Sequence, residues 1–147
     1  MTTLHGFMDG SYNTVISPPA PKQAFVQKNS ILEFLTTTPD CKFFSDLAYT
    51  QPDILSILNK PTATLTVFIP IYNQSILKNH IRDWLLYHMS DNCLSYDLLS
   101  SSPFLQIDSM LKGYKIQLNS DGTRVLLNNE TPILKSQVVG KSILYFI

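Results

Sequence analysis

The chain has little charge to spare and none of it collected. Eleven Lys and Arg residues balance eleven Asp and Glu residues, so the formal net charge is zero. The basic residues are spread from Lys22 to Lys141 without a cluster. Phosphate neutralisation supplies much of the affinity of nucleic-acid binders and leaves a basic stripe in their sequences. That class is excluded here, and no nucleic-acid partner is expected. Glycine is scarce at five residues, and none is spaced to cradle a phosphate. Cysteine is limited to Cys41 and Cys93. With no export signal in view, two buried free thiols are expected rather than a disulfide. No apolar run approaches the ~18 residues that span a bilayer. The first residues, "MTTLHGFMDGSYNTVISPPAPKQ", lack the basic and apolar regions of a secretory signal, so an intracellular or virion location is expected.

What is present is a globular composition. At 147 residues and 44% hydrophobic, the chain is about one domain and can bury a core without metal or disulfides. Residues 1–28 differ from the rest. Pro18, Pro19 and Pro21 favour extended, polyproline-like backbone. On either side of these prolines stand Phe7, Met8, Tyr12, Val15, Ile16, Phe25 and Val26. The segment reads as an N-terminal arm that holds other proteins in a hetero-assembly, with those apolar side chains as its anchors. Residues 29–147 form the domain.

The domain opens on "NSILEFL", where Ser30 and Glu33 have the spacing of a capping box. "KFFSDLA" and "PDILSIL" follow as two more short helices with apolar faces. "TLTVFIP" then alternates threonine with large apolar residues and stops at Pro70, the pattern of a strand. "SILKNHIRDWLLYHM" carries Leu77, Ile81, Trp84, Leu85 and His88 at helical spacing, with Ser75 as its predicted cap. The remainder turns to strands: "GYKIQL", a hairpin turn at "NSDG", "TRVLL", "PILKSQVV" and "SILYFI". Helices first and strands later give an α+β fold.

Taken in this order, the blocks resemble those of the fasciclin (FAS1) domain. "TVFIP" is similar to the family's T-V-F-A-P block, Tyr87-His88 to its Tyr-His dipeptide, and "KSILYFI" to its closing strand. The resemblance runs in one register over residues 29–147. It implies a β-wedge or sandwich with several short helices packed at one end. It also implies a non-enzymatic protein–protein interaction module. Most members are secreted, repeated and anchored; single fasciclin-like proteins without secretion signals occur in large DNA viruses. The expected role is therefore a structural component of a larger assembly such as a viral capsid. The alternative is an extracellular adhesion domain that binds a receptor or glycan.

The resemblance links the Tyr87-His88 region to receptor contact. The residues themselves say that His88, on the apolar face of its helix, is a hydrogen-bonded core residue and that Tyr87 packs. His80, Asp83 and His88 share a helix but lack the i, i+4 ligand spacing of a helical zinc site, so no metal is expected. Neither cysteine sits in a nucleophile motif, so no catalytic residue and no cofactor is expected. Sequons at Asn73 and Asn129 are expected to be unmodified.

Overall fold

A computed structural model describes residues 25–147. Three short helices lead: α1 (Ile31–Thr37), α2 (Lys42–Ala48) and α3 (Pro52–Leu58). Ser30 caps α1 by accepting the Glu33 N–H at 3.1 Å. Glu33 reaches back to the N–H of Asn29 at 2.9 Å, one residue outside the usual box, because Asn29 is in the left-handed region at φ 66°. Pro52 opens α3, where its missing N–H costs no helical hydrogen bond.

Next come β1 (Thr66–Ile69), α4 (Ile81–Tyr87), β2 (Met89–Ser90) and α5 (Tyr96–Ser101). The strands β3 (Phe104–Asp108), β4 (Lys115–Ser120), β5 (Val125–Leu127), β6 (Thr131–Pro132), β7 (Lys135–Val139) and β8 (Ser142–Phe146) complete the chain. They form two four-stranded sheets, ordered β2-β1-β8-β7 and β3-β4-β5-β6. β1 and β8 pair in parallel, with Thr66 opposite Ile143 and Ile69 opposite Phe146. The other pairings are antiparallel. The fold is α+β, as the order of blocks in the sequence implied.

The two-residue period of β1 and β8 divides the core. Val67, Ile69, Leu144 and Phe146 join the helical residues Leu32, Phe44, Leu58 and Trp84 in one apolar cluster. Phe68, Ile143, Tyr145 and Ile147 join Ile107, Ile116, Leu118, Val125 and Leu127 of the second sheet in another. The two middle strands, β1 and β8, are thus covered on both faces. "TLTVFIP" forms the strand its pattern implied, and every residue of β1 is buried, threonine included. Thr66 is accommodated because its hydroxyl donates to the Asn92 carbonyl and accepts the Leu94 N–H.

Three expectations are corrected. Ser75 caps nothing: Leu77 is extended at ψ 140°, a 3₁₀ turn covers Lys78–His80, and α4 begins only at Ile81. Ile76 is buried in the helical cluster, and that placement keeps the preceding backbone out of the helix. The second correction adds α5 and β3. Ser95 caps α5 by accepting the Leu98 N–H at 3.2 Å, and in β3 Ile107 turns inward while Phe104, Gln106 and Asp108 face out. The third concerns the thiols. Both are free, but only Cys41 is buried; Cys93 is exposed in the loop before α5.

The hairpin at "NSDG" forms as expected. The Asp121 carboxylate accepts the N–H of Arg124 at 2.8 Å and both the hydroxyl and N–H of Thr123. Those bonds, Arg124 N–H foremost, hold its acidity well below the usual carboxylate range. Gly122 at φ 92° supplies the left-handed step.

Candidate functional site

Of the arm residues singled out from the sequence, Phe7, Met8, Tyr12, Val15 and Ile16 lie outside the described residues. Phe25 and Val26 are visible and part company. Phe25 is half exposed, whereas Val26 packs against the helical core of its own domain. Buried Asn59, the residue that ends α3, fixes this stretch from both sides. Its Oδ1 accepts the Gln27 N–H at 2.7 Å, and its Nδ2 donates to the Phe25 carbonyl at 3.1 Å. The arm is therefore rooted in the domain from Phe25 onward, a few residues before the boundary read from the sequence. Nothing in the residue pattern around Asn59 marks this role, because its two partners are distant in sequence.

Tyr87 and His88 stand at the end of α4 with their rings edge to face, 6.0 Å apart. His88 Nδ1 lies 2.7 Å from the Trp84 carbonyl, a geometry in which Nδ1–H donates. The imidazole also stacks on the Trp84 indole, with centroids 3.9 Å apart. Burial pushes its pKa down to about 4, against the opposing pull of the Trp84 carbonyl. The structure thus gives His88 the hydrogen bond expected of it, in a half-buried place at the end of the helix.

Tyr87 is tied differently. Its hydroxyl donates to the Lys115 carbonyl at 3.2 Å and accepts from Asn128 Nδ2 at 2.8 Å. Asn128 adopts the left-handed region at φ 51° and takes a place in the β4–β5 ladder: its N–H donates to the Gln117 carbonyl and its Oδ1 accepts the Gln117 N–H. The sequence marks Asn128 only as a turn residue; its hold on Tyr87 crosses from one sheet to the end of a helix. Between these groups lies a cleft of about 200 Å³, floored by Phe68, Ile116 and Leu127 and edged by Tyr87, His88 and Glu130. It has room for one side chain.

Among the described residues, the groups at the cleft do not pair as a nucleophile and base. The hydrogen bond of His88 goes to a backbone carbonyl, not to a nucleophile. Burial first, and the Asp40 carboxylate second, push the Cys41 thiol up to about 12, which suppresses the reactive thiolate. Among the described residues, no three His, Cys, Asp or Glu side chains gather as a metal site needs. None of the described helices is long and apolar enough to cross a membrane.

A second surface lies at the far edge of the central sheet. β7 pairs with β8 on one side, and among the described residues no strand pairs with its other edge. Leu134 and Val138 are 56% and 64% exposed there. A shallow groove separates β7 from α1, with Phe34, Thr37, Gln137 and Val139 in its walls.

Comparison with models of known protein families gives no match, and no curated protein matches the chain.

Proposed function

We propose that the chain is a non-enzymatic protein–protein interaction module of the fasciclin type, a structural component of a larger assembly such as a viral capsid. The family reading rests on the ordered blocks of the sequence. It is supported by the placement of "TVFI" and "SILYF", distant in sequence, as the paired parallel strands at the centre of one sheet. The assembly reading rests on the root of the arm. A tether transmits force to its domain only where its base is fixed, and Asn59 and Val26 fix this one. The prolines beyond it reduce the chain entropy lost on docking. The partners are other proteins, and the location is intracellular or within a virion.

Removal of residues 1–24 tests this. That cut leaves Phe25–Lys28 and their bonds to Asn59 in place. The truncated chain is expected to melt within a few degrees of the full chain and to fail to enter the assemblies that the full chain enters in its natural source. Normal incorporation of a folded truncation would sink the tether.

The adhesion reading is kept alive by one observation: Asn73 and Asn129 are both exposed, as glycosylation requires. On the assembly reading, protein from its natural source has the mass of the unmodified chain. A loss of mass on glycosidase treatment would shift the role to the cell exterior.

A further inference from the structure

We infer that β7 is a pairing edge for a second copy of this chain: two copies meet antiparallel along it, about a two-fold axis through Ser136, and double the four-stranded sheet. This goes beyond the tether and stands apart from it, since it uses only the described domain.

β7 lacks two devices that keep a sheet edge from pairing. Edges expose unpaired N–H and C=O groups, and proteins blunt them with proline, bulges or charges. β7 has no proline. Its one charge, Lys135, is turned to the helical side, where its ammonium lies 3.5 Å from Asp40 and 4.8 Å from the centre of the Phe146 ring. The opposite face carries Leu134 and Val138, the two most exposed large aliphatic side chains among the described residues. Among those residues only β8 pairs with β7. A groove separates β7 from α1, so the helix does not cover the edge.

The outward backbone groups are those of Ser136 and Val138. Ile143 and Ile147 donate their N–H groups to the Leu65 and Ile69 carbonyls on the β1 side. Backbone groups alternate in direction along a strand, so Leu144 and Phe146 turn theirs to β7. The Phe146 carbonyl accepts the Leu134 N–H at 2.8 Å, as that direction requires. The register partners Gln137 and Lys135 therefore face β8, and Ser136 and Val138 between and beside them face away. The Val138 carbonyl accepts the side-chain amide of exposed Gln137 at 3.0 Å, a bond that a partner strand replaces without leaving a buried group unpaired.

The side chains select the occupant. Ser136 lies midway between Leu134 and Val138. An antiparallel two-fold at Ser136 sets Leu134 opposite the partner's Val138, and Val138 opposite the partner's Leu134. Residues directly opposite share a face, with Cβ atoms about 4.5–5.5 Å apart, so both exposed side chains are covered at once. Ser136 meets the partner's Ser136, and this small pair exchanges its N–H and C=O groups. On the helical side Lys135 meets the partner's Gln137, so no like charges stand opposite. Neighbouring registers are worse. An axis at Gln137 sets Leu134 opposite the partner's Gly140, which has no side chain to cover it. An axis at Val138 sets Lys135 opposite the partner's Lys141. A strand that complements itself in one register fits a second copy in a closed two-fold dimer. The strand is about 17 Å long at ~3.3 Å per residue, so the contact falls below the ~1,200 Å² of standard interfaces and the dimer is weak.

Two measurements on the full-length chain decide it. Sedimentation equilibrium is expected to show monomer and dimer in exchange at about 10–100 µM. Val138→Lys places a charge against the partner's Leu134 and is expected to weaken the dimer about tenfold or more. Its melting temperature should stay within a few degrees of the parent, because Val138 is exposed. A chain that stays monomeric up to about 1 mM, or a dimer that Val138→Lys leaves unchanged, overturns the inference. Separately, in a Cys93→Ser background, Ser136→Cys is expected to give a disulfide-linked dimer under mild oxidation. The two Cα atoms would stand about 5.5 Å apart, within the range that a disulfide bridges. Gln137→Cys in the same background is expected to stay reduced, because the partner's Gln137 lies on a diagonal. Cross-linking at Gln137 that equals or exceeds that at Ser136 would place the axis elsewhere and overturn the inference. Failure of the dimer leaves the tether standing, since no residue of β7 takes part in it.

Discussion

Trp84→Ala is expected to cost about 3–5 kcal/mol of stability, the range for removing a large buried aromatic side chain. Trp84 is 1% exposed and stands where the helices meet. Phe43 meets its indole edge-on at 5.9 Å, Phe44 lies tilted against it at 6.0 Å, and His88 stacks on it. The loss is therefore more than transferred area. Three rings lose a common partner, and His88 keeps a desolvated imidazole with less packing to hold its bond to the Trp84 carbonyl. Domains of this size have a total stability of about 5–15 kcal/mol, so the variant would retain a fraction of it. Urea unfolding of the two proteins measures the difference. Leu98→Ala on the exposed face of α5 serves as the comparison and is expected to stay within about 0.5 kcal/mol. A change at Trp84 no larger than that at Leu98 would mean that the helical cluster is not organised around the indole.

The helices were legible where local signals agreed with burial. Ser30 before "ILEFL" and Pro52 before "DILSIL" mark starts that the fold uses. Ser75 carries a similar signal and is overruled. Burial of Ile76 outweighs one cap of about 1 kcal/mol, so α4 starts at Ile81, not at Ile76. β3 escaped notice because it follows a serine-rich stretch, and its outward face mixes Phe104 with Gln106 and Asp108. The apolar class of Thr66 was legible only in part. Alternation marked a strand but not that the helices cover one side of β1 and the second sheet covers the other. No local pattern records two layers brought from distant parts of the chain. The same limit hid the clamp at Asn59 and the bond from Asn128 to Tyr87. Each joins residues far apart in sequence, and each is made by an amide side chain common in any turn. His88 was the easier case: a histidine in an apolar stripe needs a hydrogen bond, and the carbonyl one turn back supplies it.

That histidine also gives the fold an acid-sensitive element. Its pKa falls from the ordinary 6.5 to about 4 in the folded chain, chiefly through burial. Folding therefore holds the ring neutral while the unfolded chain binds a proton below about pH 6.5. The contribution of a neutral His88 is complete above that pH. It is lost as pH falls from 6.5 toward 4, because the unfolded state then binds more protons than the native state. The full loss is about 3 kcal/mol, since each tenfold difference in proton affinity between the folded and unfolded chain is worth about 1.36 kcal/mol. The carboxylates do not mask it. Asp53, lowered first by its hydrogen bond from Arg82, and Asp121 titrate in the unfolded chain near 3.8, so their losses begin lower on the pH scale. Urea unfolding at about pH 7.5 and pH 4.5 is expected to show this difference in the native protein. His88→Gln keeps an N–H that can reach the Trp84 carbonyl but has no titrating group. It should lower stability at neutral pH through poorer stacking on the indole, and the dependence between pH 6.5 and 4 should flatten. An equal slope in the two proteins would place the acid sensitivity elsewhere and would mean that the His88 ring becomes charged without leaving its place on Trp84.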